Sequence, residues 1–411
     1  MGISGMIRSK KNLVYNVAHV IYDVLRYAEY GLIYGLLRPM PLRNKVVASA
    51  FNGQKYGDNA KFILEKLHEL DPGAEIVWLC DPAYSYDVPE YVRLVQCSSD
   101  KKTLVRIYHY ATAKIWLNTH LYDKYLIKRK GQMVIETWHG GLGIKKIEGD
   151  VDKFHTNRFQ MGKIAKTSRL ADMFVSNSDF LSDIYRRAFF YRGDIQKVGF
   201  PKNDLLLKDS SPYRERVRAW FKLPQDRNIV VYAPTYRGEF EDSGQLRMEP
   251  YNIDLNRTVA LLEQTLGGDW TAIVRWHPSM EKYIPADSPL YSERVINGSS
   301  YPEMQEIIAA SDAFISDYSS CLFEAALKRI PCFIYANDYD AYLGDRGAYF
   351  TLDQLPFPHA ADMDGFSEIV RQFDLGAYLV RWDSYCEAMG LFEHGNAAEQ
   401  VAKKMEDFLK S

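Results

Sequence analysis

The hexapeptide Ile315-Ser316-Asp317-Tyr318-Ser319-Ser320 decides how the chain is read. The short apolar run Asp312–Ile315 has the character of a strand, and Cys321–Lys328 that of a helix stopped before Pro331. A strand that empties into a helix N-terminus leaves backbone N–H groups unpaired at the positive end of the helix dipole, which suits phosphate. Asp317 is placed to cap the turn, and Ser319 and Ser320 add hydroxyl donors. By itself the hexapeptide is most simply an ordinary capped helix. Two upstream stretches of similar design shift the balance. Val274-Arg275-Trp276-His277-Pro278 is a strand ending in histidine, and Ile135-Glu136-Thr137-Trp138-His139-Gly140-Gly141 runs from a strand into histidine and then glycines.

Outward from these stretches, short apolar strands alternate with helices. Expected strands are Val46–Phe51, Glu75–Cys80, Arg93–Gln96, Lys114–Asn118, Met133–Trp138, Met173–Ser176 and Ile195–Val198. The expected helices among them are Asp58–Leu70, Lys101–Tyr110, Phe159–Leu170 and Phe180–Phe189. Asp209-Ser210-Ser211-Pro212 reads as a linker, after which the alternation resumes with strands Asn228–Ala233, Thr271–Trp276, Ala313–Ser316 and Cys332–Tyr335. This pattern predicts an α/β protein with two doubly wound parallel domains. The expected organisation is a helical segment over 1–45, a Rossmann-like domain over 46–210, a second over 211–390, and a terminal helical segment over 391–411 that returns to the first domain. Ligands of such sheets bind beyond the carboxyl ends of the strands. His139, Thr235, His277 and Ser319 all fall at strand exits, so the chemistry is expected there, in a cleft between the domains.

A chain of 411 residues with 47% hydrophobic and 25% charged residues suits two globular domains. Its net charge of −2 offers no general argument for nucleic acid. Cys80, Cys97, Cys321, Cys332 and Cys386 are scattered without metal-type spacing and read as reduced thiols, so no metal site is expected. No cleavable leader and no uncharged run long enough to span a bilayer is apparent.

The first 45 residues differ from the rest. They carry seven Lys/Arg against Asp23 and Glu29, a net +5, which leaves −7 for the remainder. Between Asn12 and Leu37 the polar residues Asn12, Asn16, His19, Asp23 and Arg26 recur at helical spacing, and the rest of the wheel is apolar and tyrosine-rich. Such a helix lies on an anionic membrane surface or packs on its own domain or a partner.

Each residue at the strand exits has a bland and a chemical reading. His139 is followed by Gly140, Gly141 and Gly143 and then by Lys145 and Lys146, which places a base beside fixed positive charge; the bland reading is a structural histidine. Arg237, after Thr235, is able to grip a phosphate bidentately or to sit solvated in a loop. His277, held by Pro278, is suited to donate to a phosphate oxygen or leaving group. Glu324, a turn into the helix after Ser320, suits ribose hydroxyls or is a helix-face charge.

In this order the pieces resemble the CDP-glycerol glycerophosphotransferase family of teichoic acid and capsule synthesis. The resembling residues are Thr137-Trp138-His139-Gly140, Asn177 through Arg187, Gly199-Phe200-Pro201-Lys202-Asn203-Asp204, Tyr232 through Arg237, Arg275-Trp276-His277-Pro278, Asp317-Tyr318-Ser319-Ser320 and Arg346-Gly347. The resemblance spans about residues 46–390. It implies a GT-B architecture, a CDP-glycerol or CDP-ribitol donor, no cofactor, and a lipid-linked glycan or polyol-phosphate acceptor at the cytoplasmic face of a membrane. Carried over by position, the two essential histidines match His139 and His277, the phosphate turn matches Asp317 to Ser320, and the nucleotide-side acid matches Glu324. Gly140, Gly141, Lys145, Thr235, Arg237, Arg275 and Arg346 complete the expected binding set. After the first histidine the family usually reads Gly-Thr-Pro-Leu-Lys-Lys, whereas this chain reads Gly-Gly-Leu-Gly-Ile-Lys-Lys, a departure where the acceptor is expected. The long extra N-terminal domain of some polymerising relatives is not expected here. A GT-B nucleotide-sugar glycosyltransferase is the alternative enzyme, and a membrane-associated scaffold that has lost its chemistry the non-enzymatic one.

Overall fold

The structure, a computed structural model, describes residues 3–97, 104–152, 157–239, 241, 246–281, 283–285 and 287–411, with side chains from Val20 onward except at Arg158, Pro278, Leu343, Asp345 and Arg346. Two compact units emerge. One holds the chain up to Thr137 together with Lys166–Phe174 and Val401–Ser411; the other holds Trp138–Ala165 and Val175–Gln400. The division does not follow the expected linker, because residues 138–165 and 175–210 group with the later sheet.

In the first unit, strands β1 (Arg43–Ser49), β2 (Glu75–Cys80), β3 (Val92–Gln96), β4 (Ala113–Asn118), β5 (Met133–Glu136) and the start of β6 (Met173–Ser176) run parallel in the order β3-β2-β1-β4-β5-β6. Their apolar runs are covered on both faces: Val46, Val47, Trp78, Ile115 and Trp116 are fully buried. β1 stops at Ser49 rather than Phe51, because Phe51 and Asn52 take left-handed φ angles of 49° and 54° that break the ladder. β5 likewise stops at Glu136, before the left-handed Trp138. The expected helix Asp58–Leu70 is present, and the one expected at Lys101–Tyr110 runs Leu104–Thr112, its first residues lying outside the described ones. Of the last helix, Ala397–Lys410, the residues from Val401 group with this unit, and Lys114 Nζ donates to the Leu409 carbonyl at 2.7 Å.

The N-terminal helix runs Ile3–Leu37, longer than the expected Asn12–Leu37; the side chains of Asn12 and Asn16 lie outside the described residues. Of its polar stripe, the two residues with described side chains, Asp23 and Arg26, face the protein, and His19 like Asn12 and Asn16 lies outside the described side chains. Arg26, Tyr30 and Tyr34 are buried, and Asp23 accepts from Lys124 and Tyr125. The Tyr30 hydroxyl donates to Asp123 (3.0 Å), which also pairs with the buried Arg106 (2.9 Å). The outward residues are apolar: Val20, Ile21, Val24, Leu25, Leu32 and Leu36 are between 46% and 72% exposed. Among the described residues no helix is long and apolar enough to cross a membrane.

The second unit contains β7 (Asp194–Lys197) and a six-stranded parallel sheet of β8 (Asn228–Tyr232), β9 (Trp270–Val274), β10 (Val295–Asn297), β11 (Ala313–Ser316), β12 (Cys332–Tyr335) and β13 (His359–Ala360), in the order β10-β9-β8-β11-β12-β13. The helix after the phosphate turn covers Cys321–Ala326, two residues short of expectation. It ends early because Arg329 adopts a left-handed φ of 60° and Lys328 turns in to bond the carbonyls of Ile308, Ala309 and Ser311. β10 and β13 span only 3 and 2 residues and Leu375–Met389 has a weak apolar period, so none is legible in sequence; Met363–Arg371 is strongly amphipathic but falls outside the expected alternation.

Removing one partner of a buried ion pair leaves the other charge uncompensated. Asp123→Ala is therefore expected to destabilise the protein by about 3 kcal/mol by stranding Arg106, measured as a shift in the urea unfolding midpoint.

Candidate active site

Four strand exits in this sequence carry a polar residue at one offset. His139, Thr235, His277 and Ser319 each stand three positions beyond the end of β5, β8, β9 and β11, and all four belong to the second unit. Asp338 stands at the same offset after β12, and the sequence reading passed it over.

Asp317 is the hub of this edge. It is almost fully buried and accepts from the Thr235 amide (3.0 Å), the Thr235 hydroxyl (2.6 Å), the Tyr318 amide and Arg237 Nη2 (2.8 Å). It ties the β8 exit to the β11 exit rather than capping the helix that follows. Arg237 is also buried. Its Nε donates to Asp338 (2.6 Å), its Nη1 to the Thr235 carbonyl, and its face lies over the Tyr318 and Tyr342 rings, which stack 4.4 Å apart. Two carboxylates hold its pKa above the ordinary value against the cost of burial. Thr235, Arg237 and Asp317 thus bind one another, and Arg237 presents no open fork toward solvent. Arg275 is similar: Nη1 donates to the carbonyls of Gly298 (2.8 Å) and Ser299, and burial lowers its pKa.

His277 is exposed at the rim and stacks on Tyr236 at 5.6 Å. Its Nδ1 accepts from the Ser279 amide at 3.2 Å, so the neutral ring carries its proton on Nε2. Partial desolvation by the walls, and then the charge of Lys145, push its pKa below the ordinary histidine value. His277 is therefore a neutral donor through Nε2 at pH 7. Ser319 and Ser320 are partly exposed, and their amides donate to no acceptor among the described residues; the Ser319 hydroxyl accepts from the Cys321 amide at 3.4 Å. These two N–H groups and Nε2 of the exposed His277 are the donors of this edge, with the half-buried Lys145 near them, its Nζ 5.9 Å from the Tyr342 ring centroid.

The His139 loop meets this edge directly. A Cβ on Gly140 would touch Ser320 Oγ at 3.4 Å, and one on Gly141 would clash with Asn177 at 2.5 Å. Lys145 forms an isolated bridge with Ala348, the Lys146 amide donates to the Gly347 carbonyl, and the Tyr349 amide donates to Ile144. Arg346 lies next to that bridge, but its side chain is outside the described residues. His139 itself is half-buried, its ring 4.4 Å from that of Trp138.

Glu324 does not face open solvent. It is buried, paired with Lys202 (2.9 Å) and accepting from Gln305 Nε2 (2.9 Å). Lys202 also donates to the His139 carbonyl (2.9 Å), and Gln305 bonds Asn203 (2.9 Å). Asn203, Asn177 and the Phe200 amide converge on Glu393 at 2.7, 3.0 and 3.1 Å. Lys202 and Asn203 sat inside a motif that the sequence reading quoted without giving them roles; Asn177 opened another. Nothing in the local pattern marked Gln305 or Glu393. Among the described residues, no cluster of three His, Cys, Asp or Glu is placed to hold a metal ion.

The chain belongs to the CDP-glycerol:poly(glycerophosphate) glycerophosphotransferase family, whose family model matches residues 33–407. Its relatives include the teichoic acid glycerol-phosphate transferase of Staphylococcus aureus, 28% identical over 94% of this chain and 97% of that protein. The teichoic acid poly(glycerol phosphate) polymerases of Staphylococcus epidermidis and Bacillus subtilis are 27% and 24% identical, and this chain spans about half of their length, 49% and 53%, while 87% and 95% of it is matched. The solved wall teichoic acid polymerase TagF shares the fold, with a TM-score of 0.81 at 24% identity over 97% of this chain and 98% of that one. One TagF variant structure followed a soak with CDPG.

Burial raises the Glu393 carboxyl to about 7, against the pull of its three donors. The folded chain then holds this proton to higher pH than the unfolded chain, so the stabilisation is complete below about pH 4.5 and is lost as pH rises through about 7. Wild-type unfolding free energy is expected to fall across that window by up to about 3 kcal/mol from this group. Glu393→Gln should lack that part of the slope in urea titrations run at successive pH values.

Proposed function

We propose that the chain transfers glycerol phosphate from CDP-glycerol, or the corresponding ribitol unit from CDP-ribitol, to a hydroxyl of a lipid-linked acceptor, releasing CMP. The observation that carries this reading is the meeting of the His139 loop with the Ser319–Ser320 turn beside Lys145 and His277. His139 removes the proton of the acceptor hydroxyl. The oxygen attacks the phosphorus nearest the alditol as the bond from that phosphorus to CMP breaks, and CMP departs with the electron pair. Phosphoryl-type transfers depend on alignment and on neutralising charge over the phosphate oxygens. The Ser319 and Ser320 amides, His277 Nε2 and Lys145 supply that neutralisation. Arg237 contributes by holding the β8, β11 and β12 exits in register and by its field.

His139→Ala is expected to lower the rate of CMP release by about 10²–10⁴-fold while CDP-glycerol still binds. His277→Ala should weaken donor binding as well. Turnover near wild type in His139→Ala would remove it as the base. CMP release from CDP-alditols, with no release of UMP or UDP from UDP-sugars, separates this activity from a sugar transferase.

The acceptor calls for a membrane, and the outward apolar side of the N-terminal helix offers the contact: a row of Val, Ile and Leu turned from the protein, with basic residues concentrated in the first 45 positions. This reading places the protein on the cytoplasmic leaflet as a peripheral enzyme. The triple variant Val24→Ser, Leu25→Ser, Leu32→Ser is expected to lose at least about tenfold in binding to anionic vesicles, by sedimentation, with CMP release from soluble donor retained. Equal partitioning of variant and wild type would count against the membrane contact.

A further inference from the structure

We propose that Lys202 is the positioning residue for the base, and that Glu324 acts through Lys202 rather than on the nucleotide. The inference rests on the transferase reading and deepens it. His139 lies in a stretch whose backbone has little preference of its own for the conformation it adopts. Before it stands Trp138 at φ 55°, a bulky residue in the left-handed region, a conformation that persists only where the surroundings over-determine it. The buried indole is wedged edge-on against Phe189 at 4.8 Å. After His139 come two glycines, and Gly141 has no room for a side chain because Asn177 lies against it. Strain on one side and permissive backbone on the other leave the histidine dependent on what grips the stretch.

Lys202 grips it at the peptide that carries the imidazole. Its ammonium is buried and lies 2.9 Å from the His139 carbonyl and 2.9 Å from Glu324 Oε1. Glu324 has its other oxygen on Gln305, and Gln305 in turn holds Asn203, the neighbour of Lys202. Glu324 is rooted in the Cys321–Ala326 helix, directly behind Ser319 and Ser320. The pair is thus a strut with one end on the base loop and the other on the helix that presents the phosphate-binding amides. Desolvating a lysine and a glutamate makes such a pair poor value for stability, whereas holding a fixed geometry is a role buried ionic groups are suited to. Here that geometry is the separation between the acceptor hydroxyl and phosphorus, where misplacement of about 1 Å costs about 100-fold in rate. A carboxylate buried behind the turn, each oxygen already holding a partner, is turned away from a ribose.

The test uses the full chain, with CDP-glycerol binding measured by calorimetry and transfer measured on membrane acceptor. Lys202→Met is expected to lower kcat about 100-fold with the CDP-glycerol Kd within about twofold of wild type, and Lys202→Arg to recover most of the loss. Glu324→Gln should move kcat in the same direction and leave Kd alone. The double variant Lys202→Met, Glu324→Gln, which strands no charge, should be no slower than Lys202→Met, the signature of two groups acting as one. A Glu324→Gln protein that binds CDP-glycerol at least about tenfold more weakly at unchanged kcat would overturn the assignment. So would losses in both variants that track their melting temperatures, or no rescue by arginine. The ¹⁵N-histidine spectrum gives a readout free of turnover: in Lys202→Met the His139 resonances should shift and broaden while those of His277 stay in place. Unchanged His139 resonances would also sink the proposal. Wild-type protein that neither binds nor cleaves CDP-glycerol would defeat the transferase reading instead, leaving the spectral arm to decide the strut.

Discussion

A single buried carboxylate organises the reactive edge of the second unit. Asp317 gathers the Thr235 amide and hydroxyl, the amide of Tyr318 and one nitrogen of Arg237, and Arg237 carries the connection on to Asp338. Three parallel strands that would otherwise end in independent loops are held in register by one acid–base–acid chain. Ions this deeply buried are tolerable because every oxygen of Asp317 and several nitrogens of Arg237 are hydrogen-bonded, and because the guanidinium lies against the stacked pair of Tyr318 and Tyr342 rings. The outward groups, His277 and the amides of Ser319 and Ser320, hang from this frame. Of the positive groups, Arg237 and Arg275 serve to build the edge.

Much of this was legible in the residues. Parallel sheets announce themselves because strands covered on both faces must be apolar throughout, as Ile229–Tyr232 and Ala313–Ile315 are. Their exits are legible too, because a polar residue directly after such a run has nowhere to go but the carboxyl edge. What residue types alone do not disclose is whether a charged side chain at that edge points outward or closes back on its neighbours. Arg237 is drawn inward by Asp317 and Asp338, which lie about a hundred positions or less from it in the chain and leave no local mark beside it. Glu324 was expected to meet a ribose because a helix-borne acid near a phosphate turn commonly faces the ligand; its burial depends on Lys202, over a hundred positions earlier in the chain.

The N-terminal helix shows the same limit from the other side. A thin polar stripe on a broad apolar wheel is ordinarily read with the stripe toward water. Here the stripe includes Asp23 and Arg26, and both turn inward: Lys124 and Tyr125 bond Asp23, while Arg26 bonds the Tyr30 hydroxyl and lies over the Tyr125 ring. Periodicity located the helix and even its far boundary at Leu37, yet the side that faces the protein was set by long-range charge partners with no local signature.

That inside-out helix bears on handling the molecule. Six branched aliphatic side chains in contact with solvent on one cylinder make a sticky ribbon, and the stretch of helix that carries it also carries the Asp23–Lys124 ion pair and the Tyr30–Asp123 hydrogen bond beneath. Trimming the terminus to improve solubility would exchange an oily exterior for stranded charge in the interior. Replacing individual outward aliphatics, or supplying a mild surfactant, leaves the inner contacts whole and is the gentler course for crystals or spectra.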